Sequence, residues 1–217
     1  MEQKQLTNRI EKITQEISRL TDIICTIKAL DVRLAPEAYE DLSVRAALSA
    51  ETVACRLRSL IYATTHVKKL EYLVRASEAH GIQISEKDGV LQITLPCLLP
   101  SKRSRLGSLF LSDPLYAALE RYTEHRTAPR FQKCLVCFCH VYDKNLFPRQ
   151  ALDPDNFLQK QILDVVATFL LTDDSGRFCD MYITSEPGQQ SCTHIFLMQK
   201  EHFPAWLAGH RKEQKSI

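Results

Sequence analysis

The sequence predicts an α+β fold: a small mixed sheet with two helices, preceded by an N-terminal helical hairpin or coiled-coil region. Three observations predict it. Near the N-terminus, apolar residues recur at alternating spacings of four and three, the seam of a packed helix. From residue 82 the apolar pattern changes to strand period. Beyond residue 90, strand-like and helix-like segments follow as strand, helix, strand, helix, strand, strand, an order suited to a mixed layer domain. The expected division is a helical region over 1–81, an α/β domain over 82–209 and a frayed tail over 210–217.

The seam is formed by Leu6, Ile10, Ile13, Ile17, Leu20, Ile24 and Ile27, with Glu11, Lys12, Gln15, Glu16 and Arg19 on the other face. Such spacing favours helix packing, so residues 6–30 are expected to meet a partner helix, in the same chain or another. The helix should end near Leu30, ahead of Pro36, which suits the first turn of a short helix reaching Leu48. A second long helix is expected from about Ser49 to His80, striped by Val53, Leu57, Leu60, Val67 and Val74 and closed by Gly81. Two strands then flank Lys87-Asp88-Gly89, a turn sequence. A loop rich in Pro, Ser and Arg leads to a helix over roughly Pro114–His125. The run KCLVCFCHVY reads as a buried strand. A helix from Asn156 to about Leu170, strands near Arg177–Thr184 and Thr193–Gln199, and a short helical turn over Pro204–Ala208 complete the chain.

At 45% hydrophobic and 25% charged, the 217-residue chain has the composition of an ordinary globular protein and too little bias for a disordered one. A net charge of +2, from 28 basic and 26 acidic residues, does not by itself announce a nucleic-acid partner. The charge is unevenly placed, however. Lys102, Arg103 and Arg105 form a basic cluster, whereas the stretch from Asp153 to Asp180 is acid-rich, a pairing that suits a polyanionic substrate. No apolar run approaches membrane-spanning length and the polar N-terminus has no secretory core, so no membrane association is expected. Eight cysteines without secretory context point to a reducing, cytoplasmic setting. Cys134, Cys137, Cys139 and His140 crowd together, but a zinc site usually takes two spaced ligand pairs and here the second pair is missing, so the cysteines read as packing within a buried strand rather than as metal ligands. Strand alternation sends Cys137 and Cys139 to one face and Cys134 and His140 to the other.

The acidic stretch carries the chemistry. Asp153-Pro154-Asp155-Asn156 precedes a helix bearing Lys160 and Asp164, and Asp173-Asp174-Ser175 follows it. Each acid has a structural use. Asp155 can cap the helix, and Asp153 favours its positive end. Asp173 can form a turn, and Asp164 can pair with Lys160 one turn away. Capping and turning explain one acid at each place, not two. Doubled carboxylates repel unless a cation compensates, and Mg²⁺ takes one or two carboxylates plus water and phosphate oxygens. One objection is geometric. A straight helix from Asn156 to Leu170 separates its ends by about 20 Å at 1.5 Å per residue, so Asp155 and Asp174 can share a cation only if the chain doubles back or a second subunit contributes.

Three segments together resemble the RusA family of Holliday-junction resolvases. Leu91-Gln92-Ile93-Thr94-Leu95-Pro96 with Leu99-Pro100-Ser101 is similar to that family's opening strand and Pro-Ser loop. Asp153-Pro154-Asp155-Asn156, with Lys160 and Asp164, resembles its Asp-x-Asp-Asn helix start. Leu171-Thr172-Asp173-Asp174-Ser175 and the strand after it resemble its Asp-Asp turn. The resemblance implies a RusA-like sheet over about residues 90–199 and a metal centre of Asp153, Asp155 and Asp174 holding Mg²⁺ or Mn²⁺. It further implies assistance from Lys160, with Asn156, Asp173 and Asp164 nearby, and a homodimer acting on branched DNA. Lys102, Arg103 and Arg105 would meet the DNA phosphates. The chain departs from the family in four ways. Its lysine stands four residues after Asn156 rather than three, Ser185-Glu186-Pro187-Gly188 holds no basic residue, Lys102 stands where an asparagine commonly follows the Pro-Ser loop, and the helical N-terminal region has no counterpart. The resemblance therefore implies a divergent member, either an endonuclease or a DNA- or protein-binding adaptor of a phage or mobile element that keeps the fold.

Overall fold

A computed structural model describes residues 3–64, 67–99, 107–124, 131–145 and 159–214. The chain forms two compact units, Met1–Lys69 and Leu70–Ile217.

The first unit is a hairpin of α1 (Gln3–Ala29) and α2 (Pro36–Thr64). The expected break between Leu48 and Ser49 does not occur. Ala46, Ala47, Ala50 and Ala54 sustain helix through that region, and nothing nearby interrupts it. The described helix reaches Thr64, and residues 67 and 68 are not helical.

The buried seam of α1 differs from the expected one by a rotation. Ile13, Glu16 and Ile23 are buried and Leu6, Leu20 and Ile27 half-buried, whereas Ile10, Ile17 and Ile24 stay 46%, 45% and 51% exposed. Polar chemistry accounts for the rotation. Glu16 faces α2, accepts a hydrogen bond from Ser49 Oγ (2.8 Å) and lies 3.5 Å from the Arg56 and Arg19 guanidinium groups. Arg56 also donates to the Lys12 carbonyl (2.9 Å). A buried carboxylate is tolerable only when hydrogen-bonded and paired, so these contacts fix which face turns inward.

From Leu70 on, α3 (Lys69–His80) belongs to the second unit, where it packs Leu73 and Val74 around Ala117 rather than continuing the long helix expected over 49–80. Gly81 (φ +78°) ends it as anticipated. Its N–H donates to the Glu78 carbonyl (2.9 Å) and that of Ile82 to Ser77 (3.0 Å), the paired bonds of a Schellman motif. Strands β1 (Gln83–Lys87) and β2 (Val90–Leu95) form a hairpin through Asp88 (φ +53°) and Gly89 (φ +74°), the left-handed pair that a type I′ turn demands.

Helix α4 spans Gly107–Glu124, beginning two turns before the expected Pro114 and carrying that proline inside. β3 (Cys134–Asp143), α5 (Gln159–Leu170) and β4 (Cys179–Gly188) make a parallel β-α-β unit, and β5 (Cys192–Gln199) returns antiparallel beside β3. The five strands lie in the order β1-β2-β5-β3-β4. A 3₁₀ turn (Lys200–His202) then leads into α6 (Phe203–Gln214), which continues through residues expected to fray.

Alternation along β3 sorts its side chains as anticipated. Cys134, Val136 and Phe138 join Leu91, Ile93, Leu95, Ile195 and Leu197 under α4 and α5, which supply Leu111, Leu115, Leu119, Ile162, Val166 and Leu170. Leu135, Cys137, Cys139 and Val141 face the other way, beside Phe196 and Met198, where Phe203 and Trp206 of α6 pack. The sheet therefore carries more than the two helices expected, with α6 on its second face. His140 lies in the interior, and burial lowers its pKa to about 4, so the ring is neutral at pH 7. Thr193 Oγ1 donates to the Cys97 carbonyl (2.9 Å), so its oxygen is left to accept from His140 Nδ1 (3.4 Å).

Among the described residues no helix is long and apolar enough to cross a membrane. Replacing Ser49 by Ala should cost about 1–3 kcal/mol by leaving the Glu16 carboxylate short of a donor. Urea denaturation followed by circular dichroism would register this, and an unchanged midpoint would mean that Glu16 does not depend on the hydroxyl.

Candidate functional site

Helix α5 presents Lys160 in its first turn and Asp164 one turn later, with the lysine Nζ 2.9 Å from Asp164 Oδ1. The same ammonium lies 3.0 Å from Asp174 Oδ2, although Asp174 follows the far end of the helix. The chain therefore doubles back, and the helix need not be shortened for this, because it runs unbroken to Leu170. Leu170 and Leu171, both buried, anchor the return. Phe131 N–H donates to the Leu170 carbonyl (2.7 Å), and Thr172 N–H donates to the Phe131 carbonyl (3.1 Å). Four residues of near-extended chain cover roughly 13 Å, enough to bring Asp174 back along α5 from Leu170.

The two aspartates of the pair divide their work. Asp173 Oδ1 accepts from the Ser175 N–H (2.8 Å), forming an Asx turn, whereas Asp174 faces the lysine. The Lys160 ammonium holds the Asp174 carboxyl below the usual carboxylate range, while Asp164 first and Asp174 second hold the lysine's pKa up. The lysine side chain is 75% exposed, so solvent and salt screen this network and it adds little to stability. Of the residues expected at the metal centre, Asp174, Lys160 and Asp164 come together. Asp153, Asp155 and Asn156 lie outside the described residues, as do Lys102, Arg103 and Arg105.

A second polar group, missed in the sequence, occupies the sheet face beneath α6. Cys139 on β3, Glu186 on β4 and His210 on α6 place their ligand-type atoms within 4.8 Å of one another. Glu186 Oε2 is 3.2 Å, and Cys139 Sγ 4.0 Å, from His210 Nε2. Directly opposite Cys139 on β5 stands His194, whose Nδ1 is held by Thr94 Oγ1 (3.0 Å) and Gln92 Nε2 (3.3 Å) and whose Nε2 lies 3.5 Å from Cys192 Sγ. Burial and then the Glu186 charge push the Cys139 thiol far up and raise that of Cys192 as well. Burial lowers the pKa of His194. Glu186, His194 and His210 open onto a cavity of about 660 Å³ walled by Phe196 and Trp206. A signal was present: Cys137 and Cys139, like Cys192 and His194, are two apart and so share a strand face. What the sequence withheld was the β3–β5 register and the course of α6.

The chain matches, over residues 2–217, a family of unknown function (DUF6100), and it belongs to that family. No curated protein matches it.

Replacing Lys160 by Ala should raise the Asp174 pKa toward the ordinary value of about 3.9. Because the folded-state pKa is depressed, the associated small stabilisation is present above the unfolded value and is lost as pH falls through the folded one. Carboxylate NMR titration would follow this, and an unmoved Asp174 would show that the ion pair does not persist in solution.

Proposed function

We propose that this chain is a divergent RusA-like endonuclease, dependent on Mg²⁺ or Mn²⁺ and selective for branched DNA such as Holliday junctions. The observation that carries the reading is the return of Asp174 to Lys160 at the start of α5. It supports a site within one chain, because Asp174 folds back to Lys160, which stands five residues after Asp155 in sequence. Two of the resembling segments also share one sheet: β2 holds the opening strand and β4 follows the Asp-Asp turn.

In this reading Asp153, Asp155 and Asp174 would hold the cation, and carboxylate oxygens suit a hard divalent ion. The bound metal would supply an activated water and offset phosphate charge. Asp174 would turn from Lys160 toward the cation, releasing the ammonium to stabilise charge on the phosphate. Lys102, Arg103 and Arg105 would position the DNA backbone. A homodimer fits a substrate of approximate two-fold symmetry that needs two matching cuts. The exposed Ile10, Ile17 and Ile24 offer a helical surface for such pairing.

One observation favours a second reading, a non-catalytic adaptor. Lys160 already pairs with two carboxylates, so the repulsion between the described acids is partly offset without a metal. A labelled four-way junction with Mg²⁺ separates the two. The nuclease reading expects symmetric cleavage, reduced roughly 10²-fold or more by Asp174→Asn, the scale of losing a transition-state stabiliser. Wild type and Asp174→Asn equally inert, while both bind the junction, would leave the adaptor. In fluorescence anisotropy, replacing Lys102, Arg103 and Arg105 by Ser should lower the slope of log affinity against log salt by roughly 0.9 for each phosphate that is no longer neutralised. An unchanged slope would remove these residues from the DNA interface.

A further inference from the structure

We propose that Cys139 Sγ, Glu186 Oε2 and His210 Nε2 form a site for a thiophilic divalent cation, Zn²⁺ foremost, on the sheet face beneath α6. The site is distinct from the acidic edge, since α5 covers one face of the sheet and Cys139 projects from the other. Its chemistry is distinct as well. Thiolate and imidazole select zinc and related metals, whereas Mg²⁺ takes oxygen donors.

The geometry is near what coordination needs. Bonds of about 2.0–2.3 Å in a tetrahedron separate ligand atoms by roughly 3.3–3.8 Å. The contacts of 3.2 and 4.0 Å bracket that range, and the whole set lies within 4.8 Å. The ligands come from three elements that the fold holds in place. Cys139 is fully buried on β3, an interior strand between β5 and β4, and Glu186 stands on the neighbouring β4, opposite Val141. The His210 ring stacks on Trp206 (4.7 Å, 14°) and meets Phe196 edge-on (5.8 Å), which fixes its plane. The Glu186 and His210 side chains are only 17% and 15% exposed, so the donors are largely withdrawn from water.

Three protein ligands beside an open cavity is the pattern of a zinc site that keeps its fourth position for water or a small ligand. His194 lines the same cavity. Its Nδ1 contacts with Thr94 and Gln92 orient the ring as outer-shell partners orient metal-site histidines.

The test uses the full chain, reduced, stripped with EDTA and dialysed against Zn²⁺. Metal analysis should find one equivalent, and Co²⁺ in its place should give a sulfur-to-cobalt charge-transfer band. Glu186→Gln and His210→Gln should weaken Zn²⁺ binding by more than the roughly 10–100-fold that loss of an outer-shell partner costs. Cys139→Ser should abolish the charge-transfer band. The double change of exposed Cys25 and Cys55 to Ser, and Asp174→Asn, should leave binding intact. Because Cys139→Ser alters the core, the decisive variant is His210→Gln, checked for native circular dichroism. Substoichiometric zinc in the folded wild type, wild-type affinity in folded His210→Gln, or loss of binding in Asp174→Asn would each overturn the proposal.

Discussion

The sheet unit depends on the burial of β3 from both sides. Its first eight residues are buried, with β5 running antiparallel on one flank and β4 parallel on the other. Side chains two apart share a face, so this one strand allocates Val136 and Phe138 to the α4–α5 core and Cys137 and Cys139 to the α6 side. A register slip of one residue would exchange the two sets. It would drive Phe138 beneath α6 and Cys139 into the aliphatic core, and the group of Cys139, Glu186 and His210 could not assemble.

The two faces then present different side-chain chemistry. On the α5 side the described polar residues Lys160, Asp164 and Asp174 are exposed or half-exposed and offer oxygen donors. Beneath α6 the polar atoms are withdrawn behind aromatic rings and include sulfur and imidazole nitrogen. Water access and donor type separate these environments, and cations sort by the same properties. The two proposals are therefore independent: the acidic edge needs no zinc, and the pocket needs no DNA.

Much of this organisation was legible in the sequence. The order of elements beyond residue 90, the β1–β2 turn, the glycine stop after α3 and the facing of the β3 cysteines all follow from local patterns of period, turn chemistry and alternation. The misplaced features depend on contacts between distant residues. Ile10, Ile17 and Ile24 fit the heptad as well as the buried set does, but only the partner helix, through Ser49 and Arg56, decides that Glu16 turns inward. No breaker marked the continuity of α2 across Ser49, and α3 gave no local sign that it packs with the sheet unit. At the acidic edge, residue types and spacing were readable, while the return of Asp174 depends on Phe131 pairing with the Leu170–Thr172 segment. Cys139, Glu186 and His210 span 71 residues, and only the tertiary fold brings them together.

Paramagnetic and diamagnetic metal titrations of one isotopically labelled sample test the division of the molecule most directly. The account predicts that Mn²⁺ broadens the amides around Lys160 and Asp173–Ser175 first. Zn²⁺ should instead shift those around Cys139, Glu186, His194 and His210 and leave the acidic edge unmoved. Both ions perturbing the same residues, or neither perturbing any, would contradict it.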